Sequence, residues 1–243
     1  MNISQLHYLP LPITFFSFLV GTLFVLVIIL QFKAFQYAYI RLGLSRSSAL
    51  LLLLGSLLGS YINIPIVELS EQRITTGQEV DFWGMRYVVP VVVNWPGTVI
   101  AINVGGAIIP GATSVYLLLK HSLWIQAGIV TAFVTAVCYY LAQPIPGLGI
   151  ALPVFVPAIA SVLVALVIAR SNVAPLAYIG GCFGTLFGAD VLNLGELRGL
   201  GVPVASIGGA GTFDGIFLTG VIAVLLASLS DRFYPNSTGR ESK

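Results

Sequence analysis

Asp190 and Asp214 are the two acidic residues that fall within or at the mouths of apolar runs; the other seven of the nine lie in polar loops or tails. An ionisable group in hydrocarbon costs at least about 2.5–3.5 kcal/mol on insertion scales, so it sits beside a partner or a water-filled cavity. No Lys or Arg lies inside either run, and the nearest cation is Arg198, in the segment that joins them. Two carboxyls that meet share one proton, because like charges a few Å apart do not both ionise. One is then a base towards water and the other an acid towards a carbonyl, which is the chemistry of an aspartyl protease dyad. Three readings follow. The pair hydrolyses a peptide bond, or it binds a cation or proton in a transporter or channel, or it is structural. In the structural reading Asp214 favours a helix N-terminus and Asp190 marks a helix end beside Asn193. A non-enzymatic component that binds a partner through its loops is the remaining class.

The flanking residues suit a site. At 1.5 Å per residue, a helix entering near Val173 carries Asp190 roughly 25 Å across the bilayer. The stretch from Gly199 to Gly211 holds Gly199, Gly201, Pro203, Gly208, Gly209 and Gly211, which predicts a loop or broken helix, with Thr212 as N-cap of the last span. Asp214 then lies in the first turn of that span, at the same depth as Asp190. Gly209 and Gly211 are expected to let an extended substrate backbone approach. Pro153 and Pro157 are expected to break the preceding span near the same membrane face.

Other chemistries fit less well. His7 and His121 lie in a tail and a short loop, there is no His-Glu-x-x-His, and no Walker loop is present. Cys138 and Cys182 sit singly in apolar runs, as lipid- or helix-facing residues rather than a disulfide framework or zinc cage. Neither a metal nor a cofactor is expected.

The elements that position these residues follow from composition. Hydrophobic types make up 57% of the chain and charged types 8%, against about 25% charged in a soluble domain. The expectation is a single all-α polytopic membrane domain over 1–243, with lipid as its solvent and a membrane protein or peptide as a candidate substrate. No clustered basic footprint points to nucleic acid. Apolar runs at about 13–32, 48–66, 97–119, 123–142, 150–169, 173–193 and 212–230 predict about seven spans. The first has no Lys or Arg before it and no cleavage pattern after it, so it reads as a retained helix.

With seven spans Lys33, Arg41, Arg46, Lys120, Arg170, Arg232, Arg240 and Lys243 fall on one side, and Arg73, Arg86 and Arg198 on the other. The positive-inside rule makes the first side cytoplasmic, giving a multi-pass protein of the cell membrane with its N-terminus outside. The loop from about 64 to 93 is β-branched and aromatic. It predicts an outer hairpin with strands Ile64–Glu71 and Val80–Val93 about a turn at Thr75, Thr76 and Gly77, with Trp83, Tyr87 and Trp95 at the interface.

Two tetrapeptides echo one another, Val104-Gly105-Gly106-Ala107 and Ile207-Gly208-Gly209-Ala210. They read as small-residue helix contacts or as traces of a repeat. Asn103, Gly105 and Gly106 are expected to face another helix, since an amide in hydrocarbon needs a partner and glycine admits it.

The segments Ala101–Pro110, Gly188–Leu194 and Ser206–Thr219 resemble an uncharacterised prokaryotic membrane family, domain of unknown function 1614, over nearly the whole chain after the first helix. That resemblance implies no established activity. A more distant likeness, to the presenilin and signal-peptide-peptidase class of intramembrane aspartyl proteases, rests on the paired Asp in consecutive spans and on Ala151-Leu152-Pro153. It implies Asp190 and Asp214 as catalytic residues and Ala151, Leu152 and Pro153 as substrate contacts. The departures are specific. The class has Gly-x-Gly-Asp, where here two residues separate Gly211 from Asp214. It has Tyr before the first Asp, where this chain has Ala189. Its proline motif follows both Asp, whereas Ala151–Pro153 precedes them.

Overall fold

A computed structural model describes residues 13–69, 72–82, 85–95, 97–145, 149–153, 155–169, 171–197, 200, 202–209 and 215–233. The chain is mostly helical. Its α-helices are α1 (Ile13–Arg41), α2 (Arg46–Gly59), α3 (Ile109–His121), α4 (Trp124–Leu141), α5 (Phe155–Ile168), α6 (Val173–Thr185) and α7 (Gly215–Phe233). Two stretches among the described residues, Val20–Arg41 and Trp124–Leu141, are long and apolar enough to cross a membrane.

α6 is the central pole. All its residues but Phe183 are buried, and α3, α4, α5 and α7 pack around it. Gly180 and Gly184 recur at helical spacing, and a Cβ on either would run into Val130 or Val134 of α4. The absent side chains bring α4 and α6 together, which in lipid is where packing energy between helices comes from. Cys138 and Cys182 are both buried in this core, so they face helices and not lipid. The outward faces are apolar: Ile125, Ile129 and Phe133 of α4 and Phe155, Ile159, Leu163 and Val167 of α5 are exposed.

The apolar runs are not all helical. The second ends as helix at Gly59, and the third is helical only after Asn103. Between them lie β1 (Asn63–Leu69), β2 (Gln72–Phe82), β3 (Met85–Trp95) and β4 (Thr98–Asn103). The cause is local: Ile62-Asn-Ile-Pro-Ile-Val and Thr98-Val-Ile-Ala-Ile are β-branched runs that suit strands.

β1 pairs antiparallel with β4, and β2 with β3, from Gln72 opposite Trp95 to Phe82 opposite Met85. After a register shift between Pro65 and Val67, β1 and β4 pair from Val67 opposite Ile100 to Leu69 opposite Thr98. The β2–β3 pairing therefore runs on through Thr75–Gly77, the expected turn, as far as Phe82 opposite Met85; residues 83 and 84 lie outside the described residues. Thr75, Thr76 and Gly77 lie within β2, opposite Val92, Val91 and Pro90. The threonines favour a strand.

β5 (Gln143–Ile145) and β6 (Gly149–Ala151) form a small antiparallel hairpin, and β7 (Val204–Ile207) joins the first sheet in the order β1-β4-β7, parallel to β4. Pro153 does not kink a helix. It lies between β6 and α5, which starts only at Phe155, because a proline ring is tolerated before a helix or in its first turn but not inside.

Candidate functional site

Asn103 closes β4. Its side chain accepts from the Gly106 N–H at 2.8 Å and donates to the Ser60 carbonyl at 2.7 Å and to Asn63 Oδ1 at 3.0 Å. Ser206 of β7 also donates to Asn63 Oδ1, at 2.6 Å. Asn103 is fully buried, so this amide ties α2, β1, β4 and the following π-helical turn (Val104–Ile108) together. Ser56 of α2 donates to the Gly105 carbonyl, and a Cβ at Gly105 would clash with the α2 backbone. Asn103 and Gly105 thus face α2.

The two Gly-Gly segments are neighbours because β4 and β7 run side by side in the same direction. Each strand leads into its own glycine pair. Gly208, at φ +88°, packs so closely that a Cβ would lie 2.7 Å from the Ala107 backbone nitrogen. The echo in the sequence is a pair of parallel strands ending in touching glycine turns.

Asp190 comes to this place from α6. After Thr185 the helix widens into a π-helical turn, Leu186–Val191, in which the Leu192 N–H reaches back to the Phe187 carbonyl at 2.9 Å. Such turns recur at functional sites because the additional residue re-aims side chains. Asn193 holds the end, donating to the Gly188 and Ala189 carbonyls at 2.7 and 3.2 Å. The half-buried Asp190 then accepts the Gly208 N–H on Oδ2 at 2.8 Å.

A cavity of about 380 Å³ opens beside it, within the size range of small-ligand sites, about 300–1,000 Å³. Asp190, Ala151, Leu152 and Gly209 all line it, so four of the expected site residues, from three separate segments, meet in one space. Pro153 is exposed and is not in its wall. Gly211, Asp214 and the expected N-cap Thr212 lie outside the described residues, as do Arg170 and Arg198.

Three hydroxyl-bearing wall residues are not among the expected site residues: Ser206, Thr185 and Thr219. Thr219 is 1% exposed and its hydroxyl has no hydrogen-bond partner among the described residues. The only signal for it was a lone threonine in an otherwise apolar stretch of α7. A second, apolar cavity of about 140 Å³ between α1, α2, the first π-helical turn and α7 is lined by no titratable group. His121 ends α3 outside both cavities, where burial and the neighbouring Lys120 hold its imidazole below the usual histidine range. No group of His, Cys, Asp and Glu among the described residues could hold a metal ion.

The family described as Protein of unknown function (DUF1614) matches residues 57–226, which run from the end of α2 through most of α7 and include every residue of the cavity wall. The chain belongs to this family. No curated protein and no solved structure matches it.

Proposed function

We propose that this DUF1614 protein is a multi-pass protein of the cell membrane, with its N-terminus outside and its C-terminus in the cytoplasm, that hydrolyses peptide bonds with Asp190 and Asp214 as an aspartyl dyad. The observation that carries the reading is the cavity. It gathers Asp190, Ala151, Leu152 and Gly209 from segments far apart in the chain. The apolar outer faces of α4 and α5 suit lipid as solvent, and two helices among the described residues are long and apolar enough to cross a membrane.

In this mechanism the substrate carbonyl sits between the two carboxyls. The ionised one takes a proton from water as its oxygen attacks the carbonyl carbon. The protonated one gives its proton to the carbonyl oxygen, and the tetrahedral species collapses with proton transfer to the leaving nitrogen. The Gly208 N–H donates to Asp190 Oδ2 and so fixes the orientation of that carboxyl at the cavity.

The test is cleavage of a single-span membrane protein by the purified full chain in liposomes. Asp190→Asn and Asp214→Asn should each abolish it, since an amide cannot relay the proton. If both variants cleave as the parent does, the reading fails. If they lose ion- or pH-dependent transport and the parent has no proteolytic activity, the cavity is an ion pathway.

A further inference from the structure

We infer that the apolar cavity between α1, α2 and α7 takes one acyl chain of a bilayer phospholipid, and that the chain braces from behind the glycine turn that holds Asp190. The inference goes beyond the hydrolytic reading and does not depend on it.

This cavity has a buried floor and an exposed rim. Leu53, Gly105, Gly106 and Phe217 in its wall are buried, whereas Ile28 and Gln31 of α1 are exposed. Their neighbours along the two helices are apolar and outward: Leu30 of α1 is 57% exposed and Leu58 of α2 66%. The mouth therefore opens onto a face that suits lipid. Inside, the polar side chains already have partners. The Ser56 hydroxyl donates to the Gly105 carbonyl, and the Ser60 hydroxyl to the Leu57 carbonyl at 2.7 Å. The wall's one side-chain amide, Gln31, stands at the rim. Phe35 and Phe217 meet edge to face with ring centres 5.8 Å apart, so two aromatic rings line the space.

These features select the occupant. A water needs two to four polar partners to enter a cavity, and the hydroxyls here give their protons to backbone carbonyls. A polypeptide segment would leave its own backbone groups without partners, which is costly. A hydrocarbon chain has none to lose. At about 140 Å³ the space is close to the apolar cavity of about 150 Å³ that stays dry and binds benzene, so it takes the end of one chain and not a whole lipid. The bilayer presents chains at the mouth in large excess, so mass action fills even a weak site. Each methylene seated there gains dispersion contacts with Phe35 and Phe217.

The floor is also the back of the Asp190 site. Gly106 is in the wall of the apolar cavity, and a Cβ at Gly208 would lie 2.9 Å from the Gly106 carbonyl carbon. Gly208 in turn donates to Asp190. α7 divides the two spaces in the same way, with Phe217 in the wall of the apolar cavity and Ile216 and Thr219 in the wall of the other. A chain seated against Gly106 therefore supports the turn at Gly208.

The test uses the full chain in phosphatidylcholine vesicles that carry a trace of the same lipid with a diazirine near the end of one acyl chain. Cross-linked residues are mapped by mass spectrometry after illumination. Phe217 and the Gly105–Gly106 segment should be labelled although they are buried. Leu57→Trp and Phe32→Trp, which add bulk to the wall, should each remove most of that label. Labelling of the exposed Leu163 and Val167 of α5 reports ordinary lipid contact and should not change. An unlabelled floor in the parent overturns the site whether or not either variant folds. So does floor labelling that both variants keep while the α5 label is unchanged. A fatty acid bearing the same diazirine is the second probe, and floor labelling by it alone overturns the assignment to a phospholipid. Hydrogen exchange reads the brace. In detergent, added phosphatidylcholine should slow exchange in the segment 204–209 of the parent and not of Leu57→Trp. No slowing in the parent, or equal slowing in both, overturns the brace.

Discussion

Asp190 and Gly208 meet through one hydrogen bond, from the Gly208 N–H to Asp190 Oδ2 at 2.8 Å. It joins the widened end of α6 to the turn after β7. The carboxyl is thus oriented by a backbone group of the turn that follows β7, the strand paired with β4. Changes at Gly208 should reach Asp190 without touching it.

Gly208→Ala is the first such change. At φ +88° an L side chain costs about 1–2 kcal/mol, and the new Cβ would also meet the Ala107 Cβ and backbone nitrogen, each at 2.7 Å. Thermal unfolding in detergent should show a loss of roughly 1–3 kcal/mol. Gly128→Ala, in α4 with nothing within 4 Å of the new Cβ, is the control and should be neutral or stabilising. Equal stability of the two variants would show that the turn after β7 does not pack on Ala107.

Asp190 was legible because a carboxyl in an apolar run is costly wherever it sits, and that cost is readable without a structure. Ala151 and Leu152 came only from a resemblance, since nothing in their residue types distinguishes them. β7 was hidden for another reason. Val204-Ala-Ser-Ile is too short and mixed to show a period, and its pairing with β4 is set by residues 105 positions earlier in the register, Val99 with Val204. The hairpin was legible as strand but its turn was misplaced, because Thr75-Thr-Gly looks like a loop until its partners Val92, Val91 and Pro90 are known. β4 read as the start of a span because Thr98-Val-Ile-Ala-Ile runs on into the apolar residues of α3 with no charged residue between them.

Asn103→Leu tests the network behind the sheet. Leucine has similar bulk but strands the Ser60 carbonyl and the Gly106 N–H, and takes one of two donors from Asn63 Oδ1. Polar contacts inside membrane proteins average about 0.6 kcal/mol and reach about 1.7, so three of them predict a loss of about 2–3 kcal/mol in reversible unfolding. A variant as stable as the parent would mean that the amide does not tie α2 to β4.

Topology gives an independent check on the proposed orientation. Single cysteines at positions 77 and 240 can be labelled in intact cells with a membrane-impermeant maleimide. The Lys and Arg distribution predicts 77 outside and 240 in the cytoplasm, so the first should label and the second only after permeabilisation. The reverse pattern would invert the protein and put Asp190 at the cytoplasmic face.

Asp190 itself separates holding from chemistry. In Asp190→Asn the side-chain oxygen can still accept the Gly208 N–H, so the fold should keep most of its stability. In Asp190→Ala the buried N–H is left without its partner, at a cost of about 1–3 kcal/mol. The carboxylate proposed as part of the dyad is lost in both. The expected pattern is therefore unequal stability with equal loss of cleavage, read by thermal unfolding beside a peptide-bond cleavage assay. If both variants keep cleavage while only the alanine is destabilised, Asp190 serves the turn after β7 and nothing more, and the cavity's chemistry must be sought elsewhere in its wall, starting with Thr219.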